Sequence, residues 1–424
     1  MATVHKSIIF SEDVAAKVGA AYLVVLFVAG FLTNFVPIVS FGTGTLLMYS
    51  LALFLSLLSL LQLLNPMPKR VALATSATFA VTCLAVLKAA IDINPASQRI
   101  HELAIFFLGG WPFLFFLQVD DGKTRERFIR TLAVGLFCLC VFGIFQGVFA
   151  SSLPERLFAL HGDEPFGAGE DRFRPTGLTG NPIIFSSILI FASALFFALW
   201  LERRRFRFML ALLFSVAANY FTYTRASLFL LIPVLAMVWL LHNRFRLKQT
   251  IIALVSVVLV LAASAYVVLN ATNLFIVQRL IGSSEDSLGS TLGHFVTIQN
   301  AWDSIAAHPW VGVGVGSQGD FVGPGNAIIT DGTWWILLLE FGVPLSVLFV
   351  VLLLAMLLPV AKRVLRKESK HRALAIATLS FHMYLLPANF INSGILGHVS
   401  FGLYWAVLGL SLAAATGDRA QSPG

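Results

Sequence analysis

The sequence predicts an all-α polytopic membrane protein with about twelve transmembrane helices and two long loops on one side of the bilayer. Hydrophobic residues fill 58% of the 424 positions and charged residues 12%, whereas soluble domains carry about 25% charged residues. The mean hydropathy is +0.85. The apolar residues fall into segments close to the ~20 residues that cross a hydrocarbon core. Lysine and arginine gather in alternate connections between those segments, as the positive-inside bias requires. The net charge of +8 is therefore a topological signal, and no nucleic-acid partner is expected from it.

In chain order the spans read 15–37, 41–64, 70–91, 100–118, 130–150, 182–201, 207–224, 226–242, 250–269, 333–360, 372–391 and 397–415. The first is full length and lacks a small-residue cleavage pattern after it, so it reads as a span and not as a signal peptide. With the N-terminus in the cytoplasm, PKR (68–70), DGKTRERFIR (121–130), ERRRFR (202–207), HNRFRLK (242–248) and AKRVLRKESKHR (361–372) all fall inside. That arrangement leaves both termini cytoplasmic. Arg99, Arg156, Arg172, Arg174, Arg225 and Arg279 stand outside, and Lys88 lies within a span. Cys83, Cys138 and Cys140 sit in apolar runs and read as small hydrophobes, without disulfide or metal-ligand spacing.

The chain is then one transmembrane domain over residues 1–424, with outer loops at 151–181 and 270–332. Connections this long in a compact fold are usually functional. The second carries an amphipathic helical pattern, Leu288, Leu292, Phe295, Ile298, Trp302 and Ile305, at steps of three and four. Such a stripe lies on the membrane surface or packs on the bundle.

Most chemistry-bearing residues face the outer side. Arg225, in NYFTYTRASLF, is either a snorkelling arginine at a helix end or a fork that holds a phosphate at headgroup level. Arg172 and Arg174, in DRFRPTGLTGNP, lead into a turn whose amides precede a helix, and they are either part of an anion seat or solvated loop arginines. Arg279 adds a further outer charge. Gly312, Gly314 and Gly316 in HPWVGVGVGS lack the lysine of a phosphate-binding loop and the context of a dinucleotide fold, so no nucleotide cofactor is expected. Alternating glycines instead allow a close backbone approach to a membrane surface, another loop or a sugar. Asp331 is placed either to cap the helix beginning near Thr333 or to meet a sugar hydroxyl, and the two roles are compatible. Glu340, inside WWILLLEFGVPL, needs a partner or a proton and is either structural or part of the site. His294 and His308 read as structural.

The TRAS arginine, the HPWVGVGVGS loop, and Asp331 nine positions before Glu340 and Gly342 together resemble the O-antigen ligase and O-antigen polymerase superfamily of bacterial envelope glycosyltransferases. The resemblance implies an all-helical enzyme of the inner membrane whose active site faces the periplasm. It implies a donor glycan on undecaprenyl pyrophosphate, an acceptor that is either glycan or lipid A core, and no metal or other cofactor. It matches Arg225 to the arginine that contacts the donor pyrophosphate, Arg279 to a second one, and Gly312 and Gly314 to the glycine loop. Ligases carry histidine at the place of Asp331, so the aspartate favours a polymerase of repeat units over a ligase. A transporter or flippase of lipid-linked glycan would instead require inverted repeats and charges inside several spans.

Overall fold

The computed structural model describes residues 12–35, 41–62, 69–92, 99, 103, 110–119, 122–149, 174–177, 179, 181–270, 285–317, 332–365, 371–391 and 398–417. Among these residues there are helices and no strands. In chain order they are α1 (Glu12–Phe35), α2 (Phe41–Gln62), α3 (Lys69–Ile91), α4 (Pro112–Leu117), α5 (Gly122–Phe149), α6 (Pro182–Arg203) and α7 (Phe206–Phe221). They continue with α8 (Arg225–His242), α9 (Leu247–Asn270), α10 (Glu285–Ala307), α11 (Thr333–Leu365), α12 (Arg372–Ala388) and α13 (His398–Gly417). Five of the described helices are long and apolar enough to cross a membrane, namely α3, α5, α6, α8 and α11. Shorter apolar stretches lie in α1, α2, α7, α9 and α13.

The bundle is organised around α6, whose surface is almost entirely covered by α5, α7, α8, α12 and α13. Its start is written in the sequence. Asn181 accepts from the amides of Ile183 (2.8 Å) and Ile184 (3.4 Å), and Pro182 follows at the first helical position, where no amide is needed. Hydroxyls and one imidazole clasp the helices internally, since hydrocarbon offers no other partner. Ser193 meets Ser215 at 2.8 Å, Ser187 meets Tyr384 at 2.9 Å, and Thr378 meets Ser411 at 2.8 Å. His382 Nδ1 lies 2.7 Å from the Thr378 carbonyl and so must carry the proton. Its Nε2 therefore accepts from the Tyr404 hydroxyl at 2.8 Å. Small residues let helices close on one another: a Cβ on Gly135 would lie 2.3 Å from the Phe27 ring, and one on Gly409 would lie 2.6 Å from the Phe113 carbonyl.

One end of the bundle collects basic connections. Arg203 Nη2 lies 2.9 Å from both Glu126 oxygens, the Ala373 amide donates to Glu202 at 2.7 Å, and Arg372 donates to the carbonyls of Val364 and Leu241 at 2.8 Å. Stretch 121–130, read from the sequence as a connection, is instead the first turns of α5. Phe128 and Ile129 are buried there with Thr124 and Arg125, so these residues have a packed face that holds them helical. The span expected at 100–118 is described at 103 and 110–119, where α4 is a single short helix. The other expected spans that the structure describes coincide with helices to within a few residues.

Candidate active site at the broken helix

Helix α11 is broken at Gly342, whose backbone sits at φ 73°, ψ 172°. A break there removes the bond from the Val343 amide to the Leu339 carbonyl, and Pro344 has no amide to give. Both orphaned groups are taken by the loop that follows α10. The Val313 amide donates to the Leu339 carbonyl at 2.6 Å, and the Val343 amide donates to the Pro309 carbonyl at 2.8 Å. The glycines make this possible. Gly312 has φ 69°, and a Cβ on it would lie 2.3 Å from the Leu339 oxygen. The close approach expected toward a membrane surface, another loop or a sugar is thus made instead to a helix backbone.

Two carboxylates then hold the turn of the loop. Glu340, fully buried, accepts the Gly316 amide at 3.1 Å. Asp92, just past the end of α3, accepts the Val315 amide at 2.7 Å through one oxygen and pairs with Lys88 through the other. Arg99 donates to the Ala89 carbonyl and, at 3.4 Å, to that of Ala90, closing the end of α3. Lys88 stood out in the sequence as a charge within a span; Asp92 did not, although a spacing of four residues on a helix is the ordinary signature of such a pair. Gly312, Gly314 and Glu340 are thus brought together, with Asp92 as the added partner.

A second assembly lies at the turn between α7 and α8. Arg174, buried, donates from Nε to the Thr222 carbonyl at 3.1 Å and from Nη2 to the Thr224 hydroxyl at 3.3 Å. The Thr224 hydroxyl also reaches the Pro182 carbonyl at 3.4 Å. Tyr223 between them takes the left-handed conformation at φ 49°. Arg225 is the first residue of α8, directly after this turn. Arg174, expected either in an anion seat or as a solvated loop arginine, is instead buried and braces the turn that carries Arg225. Its target lies 48 to 50 residues away in the chain, a distance at which no local pattern signals a contact.

Beneath the glycine loop runs an apolar groove of about 430 Å³ between α3, α4, α11 and α13. It extends along α3 from Leu73 to Ala85, about 18 Å at 1.5 Å per residue. Leu337 and Phe341, which flank Glu340 on α11, line its wall with Trp111 and Trp405. Among the described residues no group of three or more His, Cys, Asp or Glu side chains could hold a metal ion. Asp331, Arg172 and Arg279 lie outside the described residues. The amphipathic stripe is described from Phe295 onward: Ile305 is buried against α11, while Phe295 and Trp302 are exposed.

Residues 210–350 match a family model described as O-antigen ligase. The match supports the O-antigen ligase and polymerase superfamily. It covers about a third of the chain and encloses α8 with Arg225, the glycine loop and the Glu340 half of α11. In this superfamily the activity is of the ligase or polymerase type, with a lipid-linked glycan and an acceptor as partners. No curated protein matches the chain.

Proposed function

We propose that the protein is a periplasmic-face glycosyltransferase of the inner membrane that polymerises O-antigen or exopolysaccharide repeat units carried on undecaprenyl pyrophosphate. The observation that carries this reading is the family match over residues 210–350, which contains both the Arg225 turn and the glycine loop seated on Glu340. The apolar groove below that loop supports a lipid-linked substrate, since its lining suits a hydrocarbon chain.

In this reading Arg225 holds the donor pyrophosphate through its fork, with Arg279 and Arg172 adding charge and Arg174 fixing the turn. The acceptor hydroxyl attacks the anomeric carbon of the donor sugar and gives its proton to Asp331. The bond from that carbon to the phosphate oxygen breaks, the lipid pyrophosphate leaves with the electron pair, and the anomeric centre inverts. Gly312, Gly314 and Glu340 shape the pocket. No nucleotide, metal or other cofactor takes part, because the donor is already activated.

A second reading, transfer of the glycan to lipid A core, is favoured by the family description, which names the ligase. One assay separates the two. Membranes of a deletion strain are complemented with the protein or with Arg225→Ala, and lipid-linked repeat units, long lipid-linked chains and core-attached glycan are resolved. Long lipid-linked chains that require the protein and vanish with Arg225→Ala establish the polymerase. If those chains persist without the protein and only core-attached glycan is lost, the protein is a ligase. Repeat units trapped on the cytoplasmic face would mark a transporter.

A further inference from the structure

An aromatic wall stands where α10, α11 and α12 meet. Trp302 of α10 packs edge-on to Trp335 of α11, with centroids 6.4 Å apart and planes at 86°. Trp335 in turn meets Phe390, just past α12, at 6.0 Å and 72°. Trp302 is 59% exposed and Phe390 49%. The wall is rigid from behind. Trp335 donates its indole N–H to the Phe390 carbonyl at 2.9 Å, and Ala301 and Ile305 of α10 are buried against Leu339, the residue whose carbonyl receives the glycine loop.

Two features decide what such a surface meets. A tryptophan that anchors a protein at the membrane interface turns its N–H toward headgroups and water, whereas the Trp335 N–H is taken by the Phe390 carbonyl of the same chain. Beside Trp302, the same outward face of α10 shows Gln299 and Asp303, both exposed and 3.4 Å apart through Gln299 Nε2 and Asp303 Oδ1. A carboxylate and an amide on that face belong in water, not hydrocarbon. A fixed aromatic ring offers its electron-rich face to the weakly positive C–H groups of a pyranose. Adjacent amide and carboxylate groups accept and donate to its hydroxyls.

We propose that Trp302, with Trp335 behind it and Gln299 and Asp303 beside it, is a sugar-binding subsite that holds one residue of the glycan. The subsite rests on the glycan-joining reading for its ligand class. Through Trp335 it adjoins the helix that carries Glu340.

The experiment uses the full-length protein in detergent, with the oligosaccharide released by mild acid from the producing cell's own lipid-linked glycan as probe. Saturation-transfer NMR measures binding, and glycan transfer at varied acceptor concentration measures KM and kcat. Trp302→Ala is expected to weaken oligosaccharide binding and raise KM about tenfold with kcat retained, and Trp302→Phe to recover part of that loss. Asp303→Asn should change affinity less than Trp302→Ala. Because Trp302 is exposed, the variants should elute from size exclusion as the wild type does. Unchanged affinity in Trp302→Ala overturns the subsite. Binding that depends on Trp302 in a protein that transfers no glycan would uphold the subsite and overturn the proposed function. Transfer with unaltered KM in Trp302→Ala would do the reverse.

Discussion

Gly312 and Gly342 lie back to back, each occupying the space that a side chain on the other would need. A Cβ on Gly312 would stand 2.8 Å from the Gly342 nitrogen, and one on Gly342 would stand 2.9 Å from the Gly312 nitrogen. Both residues also have positive φ, at 69° and 73°. The loop and the break in α11 are therefore a single construction, and neither half can be altered alone.

Alanine at either glycine should consequently separate the loop from the helix. Left-handed strain contributes about 1–2 kcal/mol and overpacking about 1–3 kcal/mol, so Gly312→Ala and Gly342→Ala should each destabilise by about 3 kcal/mol. Thermal unfolding in detergent checks this. A stability equal to the wild type for both would show that the approach is not tight.

Lys88 and Asp92 make a buried pair whose side chains are only 7% and 9% exposed. Removing one charge from such a pair costs about 3–5 kcal/mol, while replacing both can be nearly neutral. Lys88→Met should therefore be severely destabilised, and Lys88→Met combined with Asp92→Asn should recover most of the loss, since asparagine still accepts the Val315 amide. A double-mutant cycle on unfolding temperature measures the coupling; simple additivity would argue against the pair.

Arg174→Lys is expected to fail almost as badly as Arg174→Ala. Lysine has one point of contact where the guanidinium spans the Thr222 carbonyl and the Thr224 hydroxyl. In the proposed glycan assay both variants should lose at least tenfold in rate, since a hydrogen bond to a charged group contributes about 1.5–3 kcal/mol and a tenfold change corresponds to about 1.4 kcal/mol. Wild-type rates in either variant would remove Arg174 from the support of Arg225.

At the opposite end, His371 is held below its ordinary value by burial first and by Arg125 next, against the opposing pull of Glu126. The 3.4 Å approach of its Nδ1 to Glu126 is then not an ion pair near neutrality. Because the folded protein binds the proton less readily than the unfolded chain, the neutral ring contributes stability above about pH 6.5. That contribution is lost as pH falls from there through the lowered folded value. His371→Gln cannot be protonated and should flatten the acid limb of an unfolding-temperature profile between pH 7.5 and 5.5. An unchanged acid limb would assign the loss to other groups.

The sequence made the helices legible because a membrane imposes length and composition on every span, and α6 to α8 and α11 to α13 start and stop close to where apolar runs do. It also displayed Gly312, Gly314, Glu340 and Gly342 as a motif. What it could not display is that these residues meet through backbone atoms, which carry no residue identity. Asp92 carries no such signal, because a carboxylate at the end of a span looks like any solvated loop residue until its Val315 partner, 223 positions away, is in view. For α10 the periodicity was real, but a stripe does not say how much of itself is covered: Ile305 faces α11 while Trp302 is open.

The break at Gly342 also divides the work of α11. Residues 343–365 are by themselves about as long as a spanning helix needs to be, and Lys362 and Arg363 close that stretch at its far end. The turns before the break, from Thr333 to Phe341, are thus spare length for crossing a bilayer, and their Glu340 carboxylate is left to hold the Gly316 amide.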